Sequence, residues 1–120
     1  MRVERAGLDA FASKRRATDP AFTVDAPGNS PEVYIVSEIE PRAANIVAWG
    51  RDAGQDELRR KGLERAIATA GIALTDRVGV LRDDKRRAGW LMFLPVYRKG
   101  EDPMSEKGRV RALVGLLYAP

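Results

Sequence analysis

The stretch Gly89-Trp90-Leu91-Met92-Phe93-Leu94-Pro95-Val96-Tyr97 places apolar side chains at every position after its glycine. Even and odd positions are apolar alike, so a strand built from it would be covered on both faces. A buried helix would show the same run, but Pro95 removes a donor from any helix interior, and Gly89 and Gly100 punctuate the ends. The stretch therefore reads as a central strand. Pro95 also predicts a bulge or an unpaired edge at that point.

The chain of 120 residues is long enough for one domain with its own core. It contains no cysteine and no histidine. That excludes disulfides, thiolate metal sites, imidazole bases and any Ser-His-Asp arrangement. Neither a Gly-x-Ser-x-Gly elbow nor a phosphate-binding glycine loop occurs, which leaves an enzyme little to work with. Lysine and arginine number 21 against 17 acidic residues, for a formal charge of +4. The aromatics cluster in expected core strands instead of interleaving with the arginines, unlike a nucleic-acid surface. A basic protein- or nucleic-acid-interaction module is the alternative class. No segment approaches the roughly 18 apolar residues that cross a bilayer, and the start, Met1-Arg2-Val3-Glu4-Arg5, lacks the apolar core of a signal peptide.

Taken in order, residues 2–17 predict a helix with a thin seam at Val3, Gly7, Ala10 and Phe11 and a solvated charged remainder. Pro20 ends it. Ala21 to Val24 predicts a short strand that pairs, across the turn 25–31, with a second strand over Glu32 to Ile39. Pro41 then opens a short helix with Ala43, Ile46, Val47 and Gly50 on one side, and the glycines at 50 and 54 stop it. Asp56 is the N-cap of a further helix whose stripe is Leu63, Ala66, Ile67 and Ala70 and whose C-cap is Gly71. Strand segments follow at 72–75 and 78–81, then a charged turn over 82–87, the central strand, a polar connection over 99–107, and a last strand over Arg109 to Tyr118. Its core side is expected at Val110, Ala112, Val114, Leu116 and Tyr118.

This order predicts an α+β fold with a PAS-like, five-stranded antiparallel sheet, helices on one face and an N-terminal helix. Residues 1–19 form the stalk-like helix of that plan, and 20–120 the PAS-like sensory domain. Such a fold suits a small molecule held between the central strand and the inserted helices, although fold alone does not fix function.

The run Ile39-Glu40-Pro41, Asn45, Gly50-Arg51-Asp52, Arg59-Arg60 and Leu63-Glu64-Arg65-Ala66 resembles the CHASE domain of sensor receptors. Leu74-Thr75, Phe93 to Tyr97 and Arg111 to Gly115 are similar to further segments of that family. The resemblance covers the chain from about Phe22 onward. It implies a noncatalytic, extracytoplasmic sensor, periplasmic or extracellular, in a membrane receptor with a histidine kinase or diguanylate cyclase output. It also implies no cofactor, membrane attachment only through flanking segments, and a homodimer through the N-terminal helix. Asp52 falls on the position of the family's ligand-anchoring aspartate, and Leu74 on that of a leucine whose main chain meets the ligand, with Thr75 beside it. Asp83 falls near the position at which the family's plant members, the cytokinin receptors, carry a threonine that meets the ligand. Arg51 stands where the family carries an aromatic residue, and Arg42 where a leucine is common.

Each of these residues has a plainer reading. Asp52 is a helix cap or a loop carboxylate paired with Arg51, or a ligand acceptor. Trp90, Phe93, Leu94 and Tyr97 are core, or the apolar wall of a pocket. Gly115 relieves crowding on the last strand, or lets a flat ligand lie against the backbone. Tyr118 supplies a core ring or a hydroxyl. The Asp83-Asp84 pair, among Arg82, Lys85, Arg86 and Arg87, reads as a solvated turn and not as a metal site.

Overall fold

A computed structural model describes residues 1–82 and 85–120, and its backbone divides into two compact units, Met1–Gln55 and Asp56–Pro120. The class is α+β, with antiparallel ladders throughout. The first unit contains β1 (Arg2–Glu4), α1 (Leu8–Thr18), β2 (Glu32–Tyr34) and α2 (Arg42–Asn45). The second contains α3 (Glu57–Thr69), β3 (Ala73–Leu74), β4 (Val78–Arg82), β5 (Lys85–Gly89), β6 (Met92–Tyr97), α4 (Glu106–Ala112) and β7 (Leu113–Ala119).

The first unit departs from the expected helix at residues 2–17. Residues 2–4 are extended, and Val3 lies opposite Val33 in an antiparallel pair with β2. A 3-10 turn over Arg5–Gly7 leads into α1, so the helical seam is Leu8, Phe11 and Ala12, with Ala10 exposed. β1 takes the place expected for a strand at 21–24. Phe22 is instead a fully buried anchor, packed with Val33 and Ile35 and ringed by Val3, Leu8, Phe11 and Trp49. Phe11 and Trp49 meet it edge-on at centroid distances of 6.0 and 5.1 Å, a favoured geometry for aromatic pairs.

Two basic side chains tie α1 to the segment after β2. The Arg15 guanidinium lies 5.5 Å from the Phe22 centroid and donates to the Ser37 carbonyl at 2.9 Å. Arg42 lies 4.4 Å from the Trp49 centroid and pairs with Asp19 at the end of α1. Strand β2 stops at Tyr34, short of the expected Ile39. Val36 then exchanges backbone hydrogen bonds with Gly50 and Arg51. The stripe expected after Pro41 is only partly realised, since Ile46 and Val47 are exposed while Gly50 is buried.

In the second unit α3 lies along β3 and β6. Asp56 caps it as expected, its carboxylate accepting the Arg59 N–H at 2.9 Å. Leu63 and Ala66 are fully buried. Gly62 is what allows the close approach: a Cβ there would lie 2.7 Å from Thr75 Cγ2 and 3.5 Å from Phe93 Cδ2. At the other end Ala70, and not Gly71, adopts the left-handed conformation (φ 52°), while the Gly71 N–H reaches back to the Ala66 carbonyl.

The strands form ladders of two, three and two, β1-β2, β3-β6-β7 and β4-β5, where one sheet of five was expected. β6 is central within its own ladder. Its faces are not both covered, however: Leu91, Phe93 and Pro95 are buried, whereas Met92, Leu94 and Val96 are exposed. Pro95 lies beyond the end of β3, and the register shift expected there falls one step later, between Val96 and Tyr97. The expected polar connection hides α4, capped by Ser105, whose hydroxyl accepts the Gly108 N–H at 3.0 Å. Val110 is thereby an exposed helical residue and not a core strand position. Arg82 and Lys85, Arg86 and Arg87, expected in a charged turn, belong to β4 and β5.

Two substitutions on α3 should run opposite to helix propensity. Gly62→Ala should lower the free energy of unfolding by more than about 1 kcal/mol despite alanine's better propensity, because the new methyl meets Thr75. Ala70→Gly should raise it by about 0.5–1 kcal/mol by relieving the left-handed alanine. Urea denaturation measures both.

Candidate functional site

Asp52 is 2% exposed, in the first unit. Its Oδ1 accepts the backbone N–H groups of Tyr34 and Gly54, each at 2.9 Å. Its own N–H donates to the Asp25 carbonyl, and Ala53 donates to the Tyr34 carbonyl, so the loop 50–55 is stitched to the end of β2. Gly50 makes this possible. It has φ 80°, and a Cβ would stand 1.8 Å from the Thr23 carbonyl oxygen. The expected pairing of Asp52 with Arg51 does not occur, since Arg51 Nε lies 3.5 Å from Asp25 Oδ2. A buried carboxylate that accepts two main-chain donors fixes a loop.

The other candidates lie in the second unit, apart from Asp83, which falls outside the described residues. Thr75 is buried, its Oγ1 accepting the Leu91 N–H and its N–H donating to the Leu91 carbonyl, both at 2.9 Å. Its hydroxyl closes the β3-β6 ladder one step beyond the strands themselves. Leu74, Leu94 and Gly115 come from three different strands and share one face of the β3-β6-β7 sheet. Leu74 pairs with Met92, Leu94 with Leu117, and Val96 with Gly115, and directly opposed residues of an antiparallel ladder point to the same side.

That side is apolar and open. Leu117 and Leu74 are 63% and 55% exposed, and Met92, Leu94 and Val96 between 36% and 39%. The opposite side carries Ala73, Phe93, Pro95, Leu116 and Tyr118. On that opposite side α3 approaches the sheet closely at Gly62, whose backbone sits within a methyl's reach of Thr75 and Phe93. Tyr118 packs its ring 6.1 Å from that of Phe93. Burial pushes its phenol above the usual range, against a smaller opposing pull from Arg59.

Leu74, Leu94 and Gly115 lie on this side together with Met92 and Leu117, which the sequence does not single out. The missed signal is register. Once β6 alternates, every second residue of β7 joins the open face, but a run that is apolar on both parities does not reveal which parity is covered. Among the described residues no group of three or more carboxylates is placed to hold a metal ion, and no helix is long and apolar enough to cross a membrane.

A family model described as the CHASE domain matches residues 1–120, and the chain belongs to that family of extracytoplasmic sensory domains. No curated protein matches the chain.

The role of Asp52 is measurable as stability. Asp52→Ala should cost at least about 2 kcal/mol in urea unfolding, because two buried N–H donors lose a charged acceptor. Asp52→Asn, which keeps an oxygen at Oδ1, should recover part of the loss. An alanine variant as stable as the parent would show that the two hydrogen bonds carry nothing.

Proposed function

We propose that this CHASE domain is a noncatalytic small-molecule sensor whose ligand, flat or amphipathic, lies on the open face of the β3-β6-β7 sheet. The central strand remains the floor of the site, as the PAS-like plan implies, but the ligand takes the side away from α3. The observation that carries the reading is the convergence of Leu74, Met92, Leu94, Val96 and Leu117 on one exposed apolar surface. Binding sites are mostly apolar with few polar groups, and a contiguous exposed apolar face on a chain this charged is uncommon. Gly115, opposite Val96, is buried at the edge of this face and brings no side chain to it.

In this reading Asp52 and Thr75 hold their backbone neighbourhoods in shape. The setting is a membrane receptor facing the periplasm or the exterior, with a histidine kinase or diguanylate cyclase as output and α1 as the contact within a homodimer. A small ligand is favoured over an acidic macromolecular partner by the layout of β5, where Lys85 and Arg87 alternate with Arg86 across the ladder and form no single basic stripe.

The uncharged fluorophore N-phenyl-1-naphthylamine tests the face directly. Its emission should rise saturably with the parent protein, and Leu94→Gln combined with Leu117→Gln should weaken binding at least about fivefold. Stability should change by no more than about 0.5 kcal/mol per exposed site. Undiminished binding by the double variant would remove this face from the function.

A further inference from the structure

The first unit contains a concavity that none of the sheet-face residues lines. It has a volume of about 270 Å³ and lies between α1 and residues 24–26, lined by Leu8, Asp9, Ala12, Arg16, Val24 and Ala26. We propose that this cleft binds a short peptide with free termini, its ammonium at Asp9 and its carboxylate at Arg16.

The lining combines Leu8 and Ala12 from the helix and Val24 and Ala26 from the facing chain with the charged Asp9 and Arg16. Asp9, Ala12 and Arg16 recur at i, i+3 and i+7, so they share one side of α1 and put opposite charges at the two ends of the cleft. Seven residues of helix rise about 10.5 Å, and three residues of extended chain span about 10 Å, so a tripeptide matches the separation. A single amino acid, with its two charges on one carbon, reaches only one end.

The charges are available. Neither Asp9 nor Arg16 makes an ion pair or side-chain hydrogen bond among the described residues, whereas their neighbours do: Arg15 pairs with Glu38, Asp19 with Arg42 and Asp25 with Arg51. The facing wall is also fixed, since Arg5 donates to the carbonyls of Ala26 at 3.0 Å and Ser30 at 2.6 Å. The volume lies below the roughly 300–1,000 Å³ of drug-sized sites, which suits small side chains. Trialanine meets all of these requirements.

The test is an amide chemical-shift titration of the full chain with trialanine and with its N-acetylated, C-amidated counterpart. Trialanine should move the signals of residues 8–16 and 24–26 saturably, and the blocked peptide should bind about tenfold more weakly. Asp9→Asn and Arg16→Gln, both at exposed positions, should each weaken trialanine about threefold, the scale of one solvent-accessible ion pair, and raising the salt to about 0.5 M should do the same. Equal binding of the blocked peptide, unchanged affinity in both variants, or no movement of these signals at about 20 mM peptide, far above the weakest useful affinity, would each overturn the assignment. None of these outcomes bears on the sheet face, whose residues lie elsewhere in the sequence.

Discussion

The second unit depends on the absence of one side chain. Where α3 crosses β3 and β6, Gly62 lets the helix backbone come against Thr75 and Phe93 at a distance no larger residue tolerates. That contact buries Leu63, Ala66 and Phe93 together, and it leaves the sheet with one dry side and one wet side. Protein interiors pack at crystal-like density, and an approach this close makes the helix-facing half of an apolar strand structural at that point.

The first unit uses a different device. Its small aromatic core around Phe22 is surrounded by loops, and the loops are held by charged groups that spend themselves on main-chain partners. Asp52 takes two N–H donors, while Arg5 and Arg15 give to carbonyls. Buried or half-buried backbone needs partners, and irregular chain has no ladder to provide them. Side chains that look like candidates for chemistry in a list of charged residues here replace the missing secondary structure. This explains why Asp52, which the family resemblance implies to be a ligand anchor, has its Oδ1 engaged within the fold.

Much of the fold was legible. Helix α3 announced itself through its Asp56 cap and its 3.6-residue stripe, and the strand at 92–97 through its glycine-bounded apolar run. What could not be read was decided by tertiary contact. Spacing alone points to a helix at the N-terminus, but Val3 lies beside Val33 in a strand pair instead. The turn of Lys, Gly and Arg in α4 has no apolar stripe, and only the Ser105 cap marks it in the sequence. Which residues of the sheet share a face is a property of register, and register is set by partners distant in sequence.

Each compact unit owns one of the two tryptophans. Trp49 is half-buried, flanked by Phe22 and the Arg42 guanidinium, with its indole N–H on the Ser37 carbonyl at 3.2 Å. Trp90 is 59% exposed beside the apolar strand. An indole in a polar, solvated position and one wedged between an aromatic ring and a cation emit at different wavelengths. The chain is therefore born with two optical reporters, and replacing either with phenylalanine would allow the melting of one half to be watched while the other stays dark.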